Sequence, residues 1–145
     1  MKYTCELDIN LPLDRVIELF DNPDNLSKWQ PGLLSYKPVL DEHGQTGPQM
    51  ELIYQMGKRN IRMVETILER NLPELMSGTY EANGVWNKVD NVFVENMDGT
   101  TTWTTHQEYV FNNLLMKIFA WIMPRSFKTQ SLAFMENFKK FAERQ

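Results

Sequence analysis

The sequence predicts one α+β domain over residues 1–145, in which a curved antiparallel sheet of seven strands and a long, kinked C-terminal helix enclose an apolar cavity. Three observations carry this prediction. Seven segments have the composition and spacing of strands, short turns join the last six, and an aromatic stripe with helical spacing follows them. A chain of this length is ordinary for a single domain with its own core.

The first strand and the helix after it are defined by the spacing of their apolar residues. Over residues 2–10, apolar and polar side chains alternate, which is the period of a strand with one buried face. The apolar positions are Tyr3, Cys5, Leu7 and Ile9. Pro12 suits the first turn of a short helix that ends near Phe20, and a second helical turn is predicted at residues 25–29.

Six further strands are predicted, at residues 33–40, 49–56, 59–69, 75–81, 85–96 and 100–111. The turns between them are short: residues 97–99, Met-Asp-Gly, are typical of a hairpin, and residues 41–48 form the longest polar turn. Strands joined by turns of hairpin length lie next to each other and run antiparallel. One face of such a sheet has to be covered by another element.

The C-terminal segment is predicted to supply that cover. Residues 114–122 are almost entirely apolar, and Pro124 must then kink or break the helix because it has no N–H group and clashes with the preceding turn. Beyond it, a stripe with helical spacing consists of Phe127, Ser131, Phe134, Phe138 and Phe141. A helix of about 30 residues is about 45 Å long and can lie across the whole sheet.

Composition and charge narrow the range of partners. The net charge of −4 divides into −8 over residues 1–110 and +4 over residues 111–145, which indicates either complementary packing or a surface that meets an anionic partner. Without a dense Lys/Arg cluster, no nucleic-acid partner is expected. The longest apolar stretch, about ten residues, is too short for an integral membrane segment. A single cysteine and the lack of a signal-peptide pattern predict a cytoplasmic protein.

Four local motifs lie where this fold would place them: residues 11–21 (LPLDRVIELFD), 26–32 (LSKWQPG), 69–73 (ERNLP) and 99–103 (GTTTW). Together they resemble the START-like, or SRPBCC, superfamily, which includes pollen-allergen-like and polyketide cyclase/dehydrase-like proteins. The resemblance covers essentially the whole chain and implies the helix-grip fold of that superfamily. It also implies the usual role of its members, which bind apolar small molecules or lipids in the cavity.

The candidate pocket combines aromatic rings with a few hydrogen-bonding groups, the usual mixture in a small-molecule site. The predicted ligand-binding residues are Met50, Leu52, Tyr54, Met63, Tyr80, Trp103, Thr105, Gln107, Tyr109, Phe127, Ser131, Phe134 and Phe138. Trp29 and Phe119 are predicted at the cavity mouth, as parts of a gate or, for Trp29, as the buried pin of a loop. The alternative for the whole set is a filled core without a ligand.

The chain offers no metal or cofactor site, so no cofactor is expected. Its histidines, His43 and His106, and its one cysteine form no cluster at ligand spacing, and no glycine-rich phosphate loop occurs. Two residues remain as weak candidates for catalysis, Glu65 and His106. If Glu65 faces inward with Met63, its carboxyl group could serve as a general acid or base in the cavity. If Val64 faces inward instead, Glu65 is solvated, and both orientations are open.

The leading hypothesis is a non-catalytic protein that binds a hydrophobic small molecule or lipid in an internal cavity. One alternative is an enzyme of the aromatase/cyclase type acting on a polyketide-like substrate, which requires Glu65 or His106 to point inward. The other is a protein-interaction module, in which the apolar residues 114–123 form a partner surface and a homodimer is possible. The ligand itself leaves no short motif.

Overall fold

The structure is a computed structural model that describes residues 1–40, 43 and 46–145. Its strands are β1 (Lys2–Ile9), β2 (Leu33–Leu40), β3 (Thr46–Met56), β4 (Arg59–Asn71), β5 (Leu75–Ala82), β6 (Val85–Glu95) and β7 (Thr101–Phe111). Its α-helices are α1 (Leu13–Phe20), α2 (Leu26–Trp29), α3 (Leu114–Ile122) and α4 (Pro124–Ala142), and a 3₁₀ turn lies at Pro23–Asn25. The turn predicted at residues 41–48 lies largely outside the described residues.

The strands form a single sheet of seven in the order β1-β7-β6-β5-β4-β3-β2, and every neighbouring pair is antiparallel. Except for β1, each strand lies beside the next one in sequence, as turns of hairpin length require. The predicted fold class, a helix-grip α+β fold, is confirmed. In the described part of the chain, no helix combines the length and apolar character needed to cross a bilayer.

The predicted interruption at Pro124 divides the C-terminal segment into two helices. The side-chain oxygen of Asn113 accepts hydrogen bonds from the backbone N–H groups of Leu115 and Met116, which caps the start of α3. Met123 then leaves helical geometry, with φ of −126° and ψ of 57°, and Pro124 occupies the first turn of α4. Proline is favoured there because its missing N–H would have no helical partner anyway.

The main core forms where the C-terminal half of α4 meets the sheet and the two short helices. Its buried members are Cys5, Ile9, Val16, Leu19, Trp29, Phe93, Trp103, Met135, Phe138 and Ala142. Phe138 has no exposed surface and lies at its centre. Its ring centroid is 5.6 Å from that of Phe20, 5.1 Å from that of Trp29 and 5.5 Å from that of Trp103. This aromatic cluster fixes α4 against one side of the sheet.

A second, smaller cluster holds the start of α4 and the end of α3. Phe111, Ala120 and Phe127 are its buried residues. The Phe127 ring lies 5.1 Å from Tyr109 and 5.3 Å from Phe111, measured between centroids. Both clusters therefore join the helix to the β1–β7 side of the sheet.

The loop between α2 and β2 is held close to β3 by a glycine. The backbone N–H of Gln55 donates to the carbonyl oxygen of Gly32 at 2.7 Å. Gly32 has φ of +82°, and a Cβ atom at this position would lie 2.5 Å from the carbonyl oxygen of Gln55. Both the backbone conformation and the close approach therefore require glycine.

Replacing Gly32 with alanine should destabilise the fold by about 2 kcal/mol or more, because a steric clash adds to the cost of a positive φ. Gly57→Ala is the matched control, since Gly57 has φ of +61° but no atom within 4 Å of the added Cβ. Urea unfolding followed by circular dichroism measures both changes. Equal losses of stability in the two variants would contradict the role assigned to the close approach at Gly32.

Candidate functional site

The pairing register decides which way Glu65 points. Residues that pair directly across an antiparallel ladder project from the same face of the sheet. The ring of Tyr109 packs against Phe127 of α4, so its face is the inner one. The register carries this face across five strands through Tyr109, Asn87, Tyr80, Glu65 and Met50. Glu65 therefore points inward, and the orientation that the sequence left open is settled.

Most inner-facing side chains on the middle strands are only half-buried, although Leu52 and Glu65 are buried. On β3, β4 and β5 the half-buried ones are Met50, Tyr54, Ile61, Met63, Ile67, Met76 and Tyr80. By contrast, Trp103 and Phe138, where α4 meets the sheet, are 1% and 0% exposed. Because β5 has three strands on either side of it, its inner face stays accessible only if space remains above it. We call this space over β3, β4 and β5 the hollow.

Gly78 lies on the floor of the hollow, in the middle of β5. It pairs with Ile67 on β4 and Val89 on β6, so it shares their inner-facing side. It has no side chain, so β5 projects no group into the hollow at this position.

The Glu65 carboxylate lies on the inner face of β4 with tyrosine hydroxyl groups around it. Glu65 is 6% exposed, and the Tyr36 hydroxyl donates a hydrogen bond to its Oε1 at 3.0 Å. The hydroxyls of Tyr54 and Tyr80 are close enough for the same carboxylate to influence their ionisation. Tyr54 itself donates to Oε1 of Gln30 at 2.5 Å, which ties this cluster to the loop after α2.

Glu65 has no ion-pair partner among the described residues, where every ion pair involves another carboxylate. Burial raises the pKa of Tyr36, and Arg70, the nearest cation to the cluster, partly offsets this rise. Arg70, at the end of the same strand, is paired with Asp21 instead. A buried carboxylate without a cation is costly, so hydrogen bonds from hydroxyl groups are what the chain itself supplies to offset its desolvation.

The tyrosines of this cluster remain protonated donors well above neutral pH. Burial raises the pKa of Tyr36, Tyr54 and Tyr80 above the ordinary value, and the negative charge of Glu65 raises each further. These hydroxyls can therefore donate hydrogen bonds to Glu65 or to a bound molecule, but they cannot supply a positive charge.

A separate polar group lies near the start of α4. The Tyr3 hydroxyl donates to the carbonyl oxygen of Phe127 at 3.1 Å and lies 2.7 Å from Oγ of Ser131. Tyr3 also stacks on Tyr109, with 6.0 Å between the ring centroids. Oε1 of Gln107 accepts a hydrogen bond from Nδ2 of Asn87 at 3.1 Å. Ser131 and Gln107, both predicted to meet a ligand, thus have partners within the protein.

The predicted pocket residues divide between the hollow and the packed core. Met50, Tyr54, Met63 and Tyr80 line the hollow, and Leu52 lies among them at 3% exposure. Trp103, Thr105 and Phe138 are instead packed beneath α4, where Thr105 contacts the sulfur of Met135. Tyr109 and Phe127 pack in the second cluster described above. Spacing along β7 could not separate the packed residues Trp103 and Thr105 from residues that line a cavity, because every second residue of β7 faces the same inner side.

The two residues predicted at the cavity mouth differ in exposure. Trp29 is 4% exposed and packs against Phe134 and Phe138, so it pins its loop from inside. Phe119 is 41% exposed and also contacts Phe127. Phe134 keeps 37% of its surface accessible beside Trp29.

His106 is not an inner-facing group. It is exposed on the outer face of β7, where its Nδ1 lies 3.0 Å from Oγ1 of Thr4. Its candidacy as an acid or base in the cavity was therefore wrong, because alternation along β7 turns it away from Gln107. Of the two catalytic candidates, only Glu65 lies in the hollow.

Two residues of the site, Tyr36 and Gln30, were not predicted. Tyr36 reaches the inner face by pairing with Leu52, but register shifts on both sides of it interrupt the alternation of β2. A bulge changes which face a residue occupies, so the sequence alone could not orient Tyr36. Gln30 lies within the LSKWQPG motif, which is the sequence signal that could have identified it, but only Trp29 of that motif was assigned a role.

The sequence profile of the family described as polyketide cyclase / dehydrase and lipid transport matches residues 2–143. The match therefore includes every strand and helix described above. Comparison with curated protein sequences gives no match.

Solved structures share the fold at low sequence identity. A conserved protein from Geobacillus kaustophilus aligns with a TM-score of 0.78 and 13% identity, covering 99% of this chain and 96% of its own. The Zhui aromatase/cyclase from Streptomyces sp. R1128 gives 0.77 and 12%, with coverage of 99% and 94%. A START superfamily protein from Mycobacterium smegmatis gives 0.74 and 7%, with coverage of 99% and 97%. At these identities, the likeness concerns the fold alone.

Alkaline titration should reveal no tyrosine that ionises near pH 10 in the folded protein. The pKa of all five tyrosines is raised, with burial as the largest cause. The unfolded chain releases these protons at about pH 10. The stability that depends on neutral tyrosines is therefore fully present below that pH and is lost as pH rises above it.

Phenolate absorbance and circular dichroism, recorded on the same samples, measure this behaviour. We expect the phenolate signal and the loss of structure to rise together. A reversible phenolate signal near pH 10 with the circular dichroism unchanged would contradict the burial of these hydroxyls.

Proposed function

The chain belongs to the polyketide cyclase / dehydrase and lipid transport family, and on that premise we propose that it binds a hydrophobic small molecule or lipid in the hollow. The observation that carries the proposal is the half-buried state of inner-facing side chains on three adjacent strands. Apolar and aromatic groups that stay accessible inside a fold favour an apolar ligand, which removes them from water.

The proposed contacts are the side chains that line the hollow: Tyr36, Met50, Tyr54, Met63, Ile67 and Tyr80. Methionine suits a site that adapts to its ligand, because its side chain is flexible and polarizable. Burying about 300 Å² of apolar ligand surface supplies a gross free energy of about 7 kcal/mol before the costs of association. Binding in the micromolar range is therefore reasonable for this site.

A polyketide cyclase-like activity is the second candidate, and the inward orientation of Glu65 favours it. A carboxyl group in a hollow that excludes much of the water can move a proton on a bound molecule. The neighbouring phenols would orient the reacting carbonyl groups by hydrogen bonding. Under this alternative, Glu65 is the acid or base, and a polyketide-like substrate is released from the protein as a different compound.

We also propose a cytoplasmic location. Its support is that the only cysteine, Cys5, is a buried free thiol, which fits a reducing compartment.

Filling the hollow should weaken ligand binding. In Met63→Trp the larger side chain enters the hollow, so the affinity for decan-1-ol should fall at least about ten-fold as apolar contacts are lost. Val64→Trp is the matched control, because Val64 is the next residue on β4 and faces the opposite side of the sheet. Isothermal titration calorimetry measures both affinities, and circular dichroism confirms that the variants fold.

Equal binding by Met63→Trp and Val64→Trp would place the ligand elsewhere and reject the proposal. The cyclase alternative is tested by mass spectrometry of compounds recovered after incubation with the protein. Recovery of an unchanged polyketide-like compound supports binding alone. A new product that disappears in Glu65→Gln supports the cyclase.

A further inference from the structure

We propose that the ligand of the hollow carries a protonated amine on an apolar body, and that this amine binds Glu65. The inference rests on the proposed function, because it identifies the polar group of the molecule that the hollow takes. It follows from the surroundings of one carboxylate rather than from the shape of the hollow.

The first step of the argument is charge. Glu65 is 6% exposed, and among the described residues its carboxylate has no ion-pair partner. A buried ionised group is stable only when opposite charge or hydrogen bonds offset its lost hydration. A ligand that brings a positive charge completes the pair. A ligand with a carboxylate or phosphate would place like charges together.

The second step is hydrogen-bonding capacity. An ionised carboxylate can accept about four hydrogen bonds. Tyr36 fills one of these positions at 3.0 Å, and the Tyr80 hydroxyl is within hydrogen-bonding reach of a second, whereas Tyr54 directs its proton to Gln30. About two positions therefore remain for a ligand. An ammonium group offers up to three donors, whereas an alcohol offers one. Hydrogen bonds between charged partners are also stronger than those between neutral ones.

The third step is the aromatic wall. Tyr36, Tyr54 and Tyr80 surround the carboxylate, and a cation over the face of a tyrosine ring is attracted by its electrons. Apolar side chains such as Met50 and Met63 line the same face of the sheet. The site thus matches a cation at one end of the ligand and an apolar body along the rest.

Three ligands of equal chain length test the proposal: decylamine, decan-1-ol and decanoate. Calorimetry at pH 7 should show that decylamine binds at least about ten-fold more tightly than decan-1-ol, with decanoate the weakest. Glu65→Gln should remove the preference for decylamine over decan-1-ol. Glu81→Gln, an exposed carboxylate on the outer face of β5, should retain the preference.

The outcomes separate this inference from the function on which it rests. If decan-1-ol binds and decylamine binds no better, the amine proposal is overturned and the binding function stands. If the preference survives in Glu65→Gln, another group selects the amine and the assignment to Glu65 is rejected. If none of the three ligands binds, both proposals fail. The comparison of the three ligands uses the unaltered chain, so its result does not depend on whether a variant folds.

A second inference rests on a different surface, the outer side of α3 and its junction with α4. Six large apolar side chains there are exposed: Leu114 and Leu115 at 74%, Ile118 at 45%, Trp121 at 83%, Ile122 at 64% and Met123 at 49%. A groove of about 870 Å³ adjoins them, lined by Trp121, Ile122, Met123 and Arg125 among others. An exposed apolar surface of this extent marks a place where another phase or molecule docks.

Charge identifies the occupant. Between residues 109 and 135 the chain has no aspartate or glutamate, and its charged groups are Lys117, Arg125 and Lys128, all exposed. We propose that this surface docks on an anionic lipid bilayer. Apolar side chains enter the interface, the exposed tryptophan suits the headgroup level, and Lys117 of α3 and Arg125 of the groove meet anionic lipids. An apolar surface that bound only another protein would not require positive charges with no negative charge among them.

Vesicle co-sedimentation tests this docking with phosphatidylcholine alone and with equal amounts of phosphatidylcholine and phosphatidylglycerol. We expect binding to the anionic vesicles at least about ten-fold stronger, and weaker binding as salt is added. Trp121→Glu should abolish it. Met97→Glu is the control. Met97 is fully exposed in the turn before β7, whereas α3 follows the opposite end of that strand.

Failure to bind anionic vesicles, or unchanged binding by Trp121→Glu, would overturn the bilayer proposal. Size-exclusion chromatography adds the remaining outcome. If the unaltered chain elutes as a dimer and Trp121→Glu as a monomer, the occupant of this surface is a second copy of the chain and the bilayer proposal is rejected.

Discussion

The packing of Phe138 is the interaction on which the rest of the structure depends. Its ring is surrounded by Phe20, Trp29 and Trp103, which come from α1, α2 and β7. Because these partners lie on one side of the sheet, the helix that carries Phe138 is fixed to that side. The inner face of β3, β4 and β5 is then left accessible, and the hollow is a consequence of where the helix is held.

The polar cluster around Glu65 places a second constraint on the hollow. Its carboxylate is carried inward by strand pairing, so it cannot turn to the outer face of the sheet without a change of register across several strands. Phenols are suitable neighbours because they donate hydrogen bonds and stay neutral over the physiological range. The cluster is linked through Tyr54 and Gln30 to the loop that Gly32 holds against β3. The site and the loop are therefore parts of one hydrogen-bonded unit.

Local spacing was enough to predict the fold, and non-local geometry limited the prediction of the site. Seven strands, two short helices and the interruption at Pro124 all leave periodic or steric signals within a few residues. The orientation of Glu65 leaves none, because both faces of β4 are largely apolar and either could have been buried. Only pairing with Tyr80, fifteen residues away along the chain, decides it. Likewise, alternation places Trp103 and Gln107 on one face but cannot say which part of that face the helix covers.

Gly78 gives the fold a simple route to new specificities. As a residue without a side chain on the inner face of β5, it is separate from the aromatic cluster that holds the helix and from the Glu65 carboxylate. A Cβ atom there would lie 3.3 Å from the backbone carbonyl oxygen of Thr66, so the neighbouring strand would have to shift by a few tenths of an ångström. A single substitution there would fill part of the hollow from the side of the sheet and leave the contacts of Phe138 unchanged.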